Sequence, residues 1–327
     1  MSEKKKKDEK KSQSYIPHMI LTIAILIVAI FIVLTDVDFP FEIPFVEDLR
    51  DIVSAVLPKS ELTPEKVFGE MQVYVIDVGQ GSSTLFVSNK RSILIDAGEN
   101  GNGKKILSLM NNIGLDSLDV MIGTHPHSDH IGGMDEVLNS INAEVIIMPE
   151  LPKSVTPTTK TYLDVLKSID SQGKSITAAK PGDVFEVGDM KLEIIGPKSA
   201  IDSNLNNFSV ISKITIDDVS VLITGDAEVA AENAIMGNKK KLKSDILIVG
   251  HHGSDTSSSE EFLKAVEPEY AAISVGYNNA YGHPSKETSY KLLALNSKIY
   301  RTDRNGTTIF KIQNNEINSV ATEKEIE

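Results

Sequence analysis

The chain has no cysteine. That absence excludes a disulfide framework and a thiolate metal site, so any metal must be held by histidine and carboxylate. It leaves the compartment open, although a cysteine-free chain suits an oxidising exterior. Basic residues are also scarce: 33 Lys and Arg stand against 46 Asp and Glu, a formal net charge of −13. Residues 1–15 carry +3 of that charge through six lysines, which leaves −16 for the remainder. Such a surface repels polyanions at long range and argues against tight non-specific nucleic-acid binding, unless bound cations or a local basic patch reverse the sign at a site. Beyond the lysine-rich tail the sequence has no low-complexity tract, and no internal repeat.

One long apolar run is present. Residues 16–34, IPHMILTIAILIVAIFIVL, contain no Asp, Glu, Lys or Arg and are about long enough to cross a bilayer. Lys4, Lys5, Lys6, Lys7, Lys10 and Lys11 precede the run, while Asp36, Asp38 and Glu42 follow it. The positive-inside bias then puts residues 1–15 in the cytoplasm and the bulk of the chain outside a plasma membrane that it crosses once. A buried soluble helix and a cleaved signal peptide are the alternatives. Against cleavage, the bulky acidic stretch TDVDFPFEIP offers no small-x-small site. Residues 35–69, with Pro40, Pro44, Pro58 and Pro64, read as a stalk in which only VEDLRDIVSAVL has helical periodicity.

From Met71 the pattern changes to short β-branched runs. MQVYVID, STLFVS and SILIDAG read as consecutive strands, and GKKILSLMNNIGL as a helix with Ile106, Leu107, Met110 and Ile113 on one stripe. Strands such as AEVIIMP, MKLEIIGP, SVISKITI, SVLITGD and SDILIVG then alternate with helices at TKTYLDVLKSI, AEVAAENAIM and SEEFLKAV, and the alternation continues to TTIFKIQ. Two sheet layers with helices outside account for this order, so residues 70–320 are expected to form one α/β domain with a short tail at 321–327.

The chain has seven histidines, and six lie in three short motifs that each follow a predicted strand. His18, in the apolar run, is the exception. In THPHSDHIGG, His125 and His127 are two apart and can converge on one cation, while Asp129 and His130 can reach a second about 3.5–4 Å away. A lone histidine is usually a hydrogen-bonded structural residue. Four ligand-type side chains within six residues at a strand end are not accounted for that way.

The motif resembles the metal-binding signature of the metallo-β-lactamase superfamily. The ordered set VIDVGQGSSTLF, ILIDAG, THPHSDHIGGM, NNFSVI, LITGD, DILIVGHHGSDTSS, ISVGYNNAYGHPS and YRTDRNGTTIF is similar to the metallo-β-lactamase-like domain of ComEC-type DNA-uptake proteins, over roughly residues 71–313. The resemblance implies a four-layer αββα sandwich, preceded here by the one transmembrane helix, and two divalent metal ions, zinc or manganese. It implies that Asp226 bridges the two metals, with His125, His127, Asp129 and His130 as further ligands. In GHHGS, His252 matches the ligand position better than His251, which then faces the substrate together with His283. Asp129 combines metal binding with acceptance of a proton from water. Asp77 and Asp96 are candidates for supporting the ligands from behind, and Gly79 and Gly81 for a tight turn beneath them.

Two departures from the family pattern stand out. No histidine occurs between Ile131 and Asp226, where many superfamily hydrolases supply one; Asn206, Asn207 and Ser209 fill that stretch, as in ComEC-like domains. This favours a harder ion such as manganese, or weak occupancy, at the first site. Ser82 stands where the family usually has an acid. The expected activity is phosphodiester hydrolysis, with DNA as the substrate that the resemblance implies. A phosphorylcholine-esterase-like enzyme acting on cell-wall polymers is the rival, and a non-catalytic DNA- or wall-polymer-binding module is the third reading. A lactamase fits less well because it normally has the missing histidine.

Overall fold

In β1 (Met71–Val75) alternate side chains go to opposite faces: Met71, Val73 and Val75 join one buried cluster, and Tyr74 joins another. With both faces covered, the strand reads as a nearly unbroken apolar run. Its one polar residue, Gln72, is tolerated because its side-chain oxygen accepts a hydrogen bond from the Tyr74 hydroxyl.

The computed structural model describes residues 70–198 and 202–324. The expected tail, transmembrane segment and stalk (1–15, 16–34 and 35–69) lie outside the described residues. No helix among the described residues is long and apolar enough to cross a membrane.

Among these residues the strands form two mixed sheets. The first runs β15 (Glu316–Thr322), β14 (Thr308–Gln313), β1, β2 (Thr84–Ser88), β3 (Arg91–Ile95), β4 (Ser117–Ile122), β5 (Asn142–Met148) and β6 (Ile176–Ala178). It is antiparallel from β15 to β3 and parallel from β3 to β6. The second runs β13 (Lys298–Arg301), β12 (Tyr270–Ile273), β11 (Ile246–Ile248), β10 (Val219–Ile223), β9 (Ile211–Ile216), β8 (Met190–Gly196) and β7 (Val184–Val187). It is parallel from β13 to β10 and antiparallel beyond.

Three apolar clusters define four layers. Between the sheets, Val73, Phe86 and Ile122 of the first pack with Leu192, Val221 and Ile248 of the second. Outside the first sheet, Leu85, Leu94 and Met121 meet helices α1 (Gly103–Asn112), α2 (Ser128–Ile131), α3 (Met134–Ser140) and α4 (Lys160–Ser171) through Ile106, Ile131, Val137 and Val165. Outside the second, Leu222 and Leu247 meet α5 (Val229–Ile235), α6 (Glu260–Val266) and α7 (Lys286–Ala294) through Ile235, Phe262 and Leu292. This is the expected αββα order. Helices α4, α6 and α7 begin where the side chains of Thr159, Ser259 and Ser285 accept a first-turn amide.

Both parallel halves send the loops that follow their strands toward one region: Asp96 follows β3, the His125–His130 segment follows β4, Asp226 follows β10 and His251 follows β11. Crevices at the carboxyl ends of parallel strands are where open α/β sheets bind ligands. Strand β15 extends to Thr322, past the boundary expected for the domain.

Phe86 is fully buried between the sheets, opposite Val73 and Ile93. Phe86→Ala is expected to destabilise the domain by about 3–5 kcal/mol, read from denaturant unfolding; a loss below about 1 kcal/mol would show that the core closes over the gap.

Candidate metal centre

The His125–His130 segment leaves β4 and is held from three sides. The Ser82 amide donates to the Asp129 carbonyl (2.9 Å), the Ala97 amide to the His130 carbonyl (2.6 Å), and the Val210 amide, from the other sheet, to the Thr124 carbonyl (2.8 Å). Gly81 takes φ of +147°, and a Cβ there would lie 2.5 Å from the Asp129 carbonyl oxygen. Only glycine lets this loop support the ligand segment so closely. Ser82 is buried beside it and acts through its backbone.

Two groups of side chains converge. Asp129, His130, Asp226 and His252 offer ligand atoms all within 4.8 Å of one another, as do His125, His127 and Asp226. Asp226 belongs to both. His125 Nε2 and His127 Nδ1 are 3.0 Å apart. His130 Nδ1 donates to Asp96 Oδ2 (2.6 Å) and His252 Nδ1 to the Ser274 carbonyl (2.8 Å), which leaves each Nε2 facing the cluster. His252 Nε2 lies 3.2 Å from Asp129 Oδ2. His130 Nε2 lies 3.0 Å from Asp226 Oδ1 and 4.0 Å from Asp129 Oδ2, yet makes no hydrogen bond among the described residues. A nitrogen and an oxygen that both aim at a shared cation are disposed in this way, so the residues fit a metal.

Charge follows burial and neighbours. Burial would push the Asp226 carboxyl up, but His130 and His252 outweigh it and hold the group well below the usual carboxylate range. Burial likewise opposes charge on His130; Asp226 and Asp96 overcome it and raise that histidine well above its usual value. His252 is raised against burial by Asp226 and Asp129. His125 is lowered by burial and by His130, and His127 chiefly by burial, so both rings favour the neutral form that a metal requires.

His251 and His252 adopt left-handed backbone conformations, with φ of 51° and 53°. Such strain costs about 1–3 kcal/mol per residue and is concentrated at functional sites. Here it turns the two rings apart. His252 enters the cluster; His251, held by Thr256 through Nδ1 (3.0 Å), lines an open cleft of about 590 Å³ with His127, Asp129, Asp226 and His283.

Of the supporting candidates, Asp96 accepts hydrogen bonds from the Thr124 amide (2.8 Å), the Thr124 hydroxyl (2.8 Å) and His130. Asp77 is not among the cleft-lining residues. Its carboxylate accepts from the Gly79 amide (3.1 Å), and Lys324 lies 3.7 Å away. Asn207 and Ser209 sit behind the cleft: Asn207 Oδ1 accepts from the Glu228 amide (3.1 Å) and Ser209 Oγ from the Asp226 amide (3.0 Å). Asn206 lines the cleft instead. Sequence reasoning overlooked Thr124, Gln80, Glu228 and Tyr281. Thr124 directly precedes the histidine motif, Glu228 follows Asp226 by two residues, and Tyr281 precedes His283 by two. Proximity to a ligand was the available signal.

The fold and this centre define a class, and comparison with known sequences agrees: the chain belongs to the metallo-β-lactamase superfamily, whose profile matches residues 76–277. Within it, the chain is related to competence proteins. It is 31% identical over 264 residues to ComE operon protein 3 of Bacillus subtilis, covering 75% of this chain and 33% of that protein. It is also 31% identical to Competence protein ComA of Neisseria gonorrhoeae, covering 77% of this chain and 33% of that protein. The chain thus spans a third of the length of these relatives. Among solved structures, the metallo-β-lactamase fold protein YhfI from Bacillus subtilis aligns with a TM-score of 0.49 at 15% identity, over 74% of this chain and 99% of that one.

Asp96→Asn is expected to lower metal affinity at the His130 cluster about 10–100-fold, read by metal titration; unchanged affinity would remove Asp96 from any supporting role. Because the carboxylates beside them raise the proton affinity of His130 and His252, metal uptake there competes with protons. Affinity is therefore expected to fall as pH is lowered, with protons released on binding, measured by calorimetry in buffers of different ionisation enthalpy. Binding without proton release would contradict this.

Proposed function

We propose that this chain is a metal-dependent phosphodiesterase that cleaves DNA outside the plasma membrane, tethered by residues 16–34. The observation that carries the reading is the sharing of Asp226 by two ligand clusters at an open cleft. Bound there, two divalent cations would acidify water and neutralise charge on phosphodiester oxygens.

The protein's own groups supply the rest. The Asp129 side chain is 23% exposed against 4% for Asp226, so it is the carboxylate placed to accept a proton from attacking water. His251 and His283 line the same cleft and offer ring nitrogens to the phosphoryl or leaving oxygen. At the cleft, Tyr281 is 71% exposed and stacks on His283 with an interplanar angle of 15°. Its loop is fixed by Asn279, which accepts from the Tyr281 and His283 amides and donates to the Gly276 and His283 carbonyls. A nucleobase can stack on such a ring. This contact matters in a chain whose charge of −16 beyond residue 15 gives polyanions no long-range attraction. The same ring also suits a quaternary ammonium, which keeps choline phosphodiesters of wall polymers as the second reading. The convergence of both ligand sets disfavours a non-catalytic module, which needs no such geometry.

With manganese or zinc, the full-length chain in detergent is expected to hydrolyse bis-p-nitrophenyl phosphate, and Asp129→Ala to lower the rate by at least about 10²-fold. Equal rates refute the mechanism. Acid-soluble nucleotides should be released from linear DNA, and phosphorylcholine should not be released from a choline phosphodiester; the reverse pattern selects the wall-polymer esterase. Tyr281→Ala is expected to raise KM for DNA about tenfold, and Tyr281→Phe to leave it near wild type.

A further inference from the structure

The two clusters are unequal. One gathers two imidazoles and two carboxylates; the other, His125, His127 and Asp226, has one donor fewer, and among the described residues no further His, Asp or Glu joins it. Carboxamide oxygens are also ligands for hard divalent cations.

Asn206 has such an oxygen with nothing to accept. The residue is 7% exposed and lines the cleft with His127 and Asp226. Its Oδ1 is buried without a hydrogen-bond partner, a condition that native proteins rarely leave unexplained. The amide cannot simply be reversed, because Nδ2 donates to Glu228 Oε1 (3.1 Å) and reversal would set oxygen against a carboxylate. The backbone is fixed too: the Asn206 amide donates to Asn204 Oδ1 (3.1 Å), and its carbonyl accepts from the Ser209 amide (3.0 Å). Its Nδ2 partner, Glu228, leads toward the incomplete cluster. Glu228 Oε1 lies 3.8 Å from His251 Nδ1, and His251 Nε2 lies 3.7 Å from Asp226 Oδ2, the oxygen that is also 3.7 Å from His125 Nε2. The neighbours are already committed: Asn207 Nδ2 donates to Asp202 (2.8 Å) and its Oδ1 accepts from Glu228, while Ser209 Oγ accepts from Asp226.

From this arrangement we infer that Asn206 Oδ1 is the missing protein donor of the His125–His127–Asp226 site, which becomes, like its neighbour, a site of two nitrogens and two oxygens. The inference rests on reading both clusters as metal sites, and not on DNA being the substrate.

The full-length chain, stripped of metal, is titrated with Mn²⁺ alone, following loss of the free-ion paramagnetic resonance signal, and with Zn²⁺ alone by calorimetry. Two manganese ions per chain are expected. Asn206→Ala should keep one site unchanged and weaken the other about tenfold or more. Asn206→His, which restores a nitrogen donor, should keep both sites and shift the weaker one toward zinc; it carries the test if the alanine variant does not fold, as judged by circular dichroism. Unchanged manganese binding in Asn206→Ala, or unchanged selectivity in Asn206→His, overturns the assignment. So does a wild-type chain that binds fewer than two ions. Metal binding that responds as expected in a chain that leaves DNA intact supports the Asn206 assignment and removes the nuclease reading alone.

Discussion

A carboxylate deprived of water sets the terms for everything around it. Asp226 is 3% exposed, and His125, His130, His251 and His252 each place a ring nitrogen between 3.0 and 3.8 Å from its oxygens. A buried charge is tolerated only where positive or hydrogen-bonding partners replace its hydration. In the metal-free protein Asp226 raises the proton affinity of His130 and His252 and is itself held charged by them. Divalent cations would serve better, because each can be met by several donors at once.

That requirement explains how the scaffold is organised. The side chains around Asp226 come from both sheets, so the loops that carry them must be fixed relative to each other. Backbone hydrogen bonds do this: Val210 to Thr124 joins the sheets, His251 to Gly225 joins the loops after β10 and β11, and Ser82 and Ala97 support the first motif. Behind them, Asp96 and the Ser274 carbonyl select which nitrogen of His130 and His252 points inward. Asn206 differs in kind, being held by Glu228 so that its oxygen is left without a donor.

Much of this is legible from the residues alone, and the exceptions have physical causes. The apolar runs that became β1 and β10 are buried on both faces, so hydrophobicity marks them clearly. Edge strands carry no such mark: β15, EINSVAT, and β7, VFEV, are largely exposed and owe their conformation to one neighbouring strand. Helix α3 is short and begins immediately after the glycines of the first motif, where no full amphipathic period can build up. Ligand spacing in THPHSDH gave the convergence of its four side chains. It could not rank Asn206, Asn207 and Ser209, which lie within four residues but have different partners, the first two in the 3₁₀ turn Leu205–Phe208 and Ser209 just after it. Asp77 and Asp96 each end a strand in a similar local sequence. One closes a turn onto Gly79 and the other reaches His130, a distinction made by long-range packing.

The shared position of Asp226 also bears on how the protein is made. Asp226 lies 101 residues after His125, and the last member of the other cluster, His252, lies later still. A growing chain that has released THPHSDH therefore has histidines but no closed site, and it can hold a cation only as loosely as a short peptide does. Closure waits until both sheets have formed and met. A cation that needs both clusters could therefore be captured only once the two sheets have met.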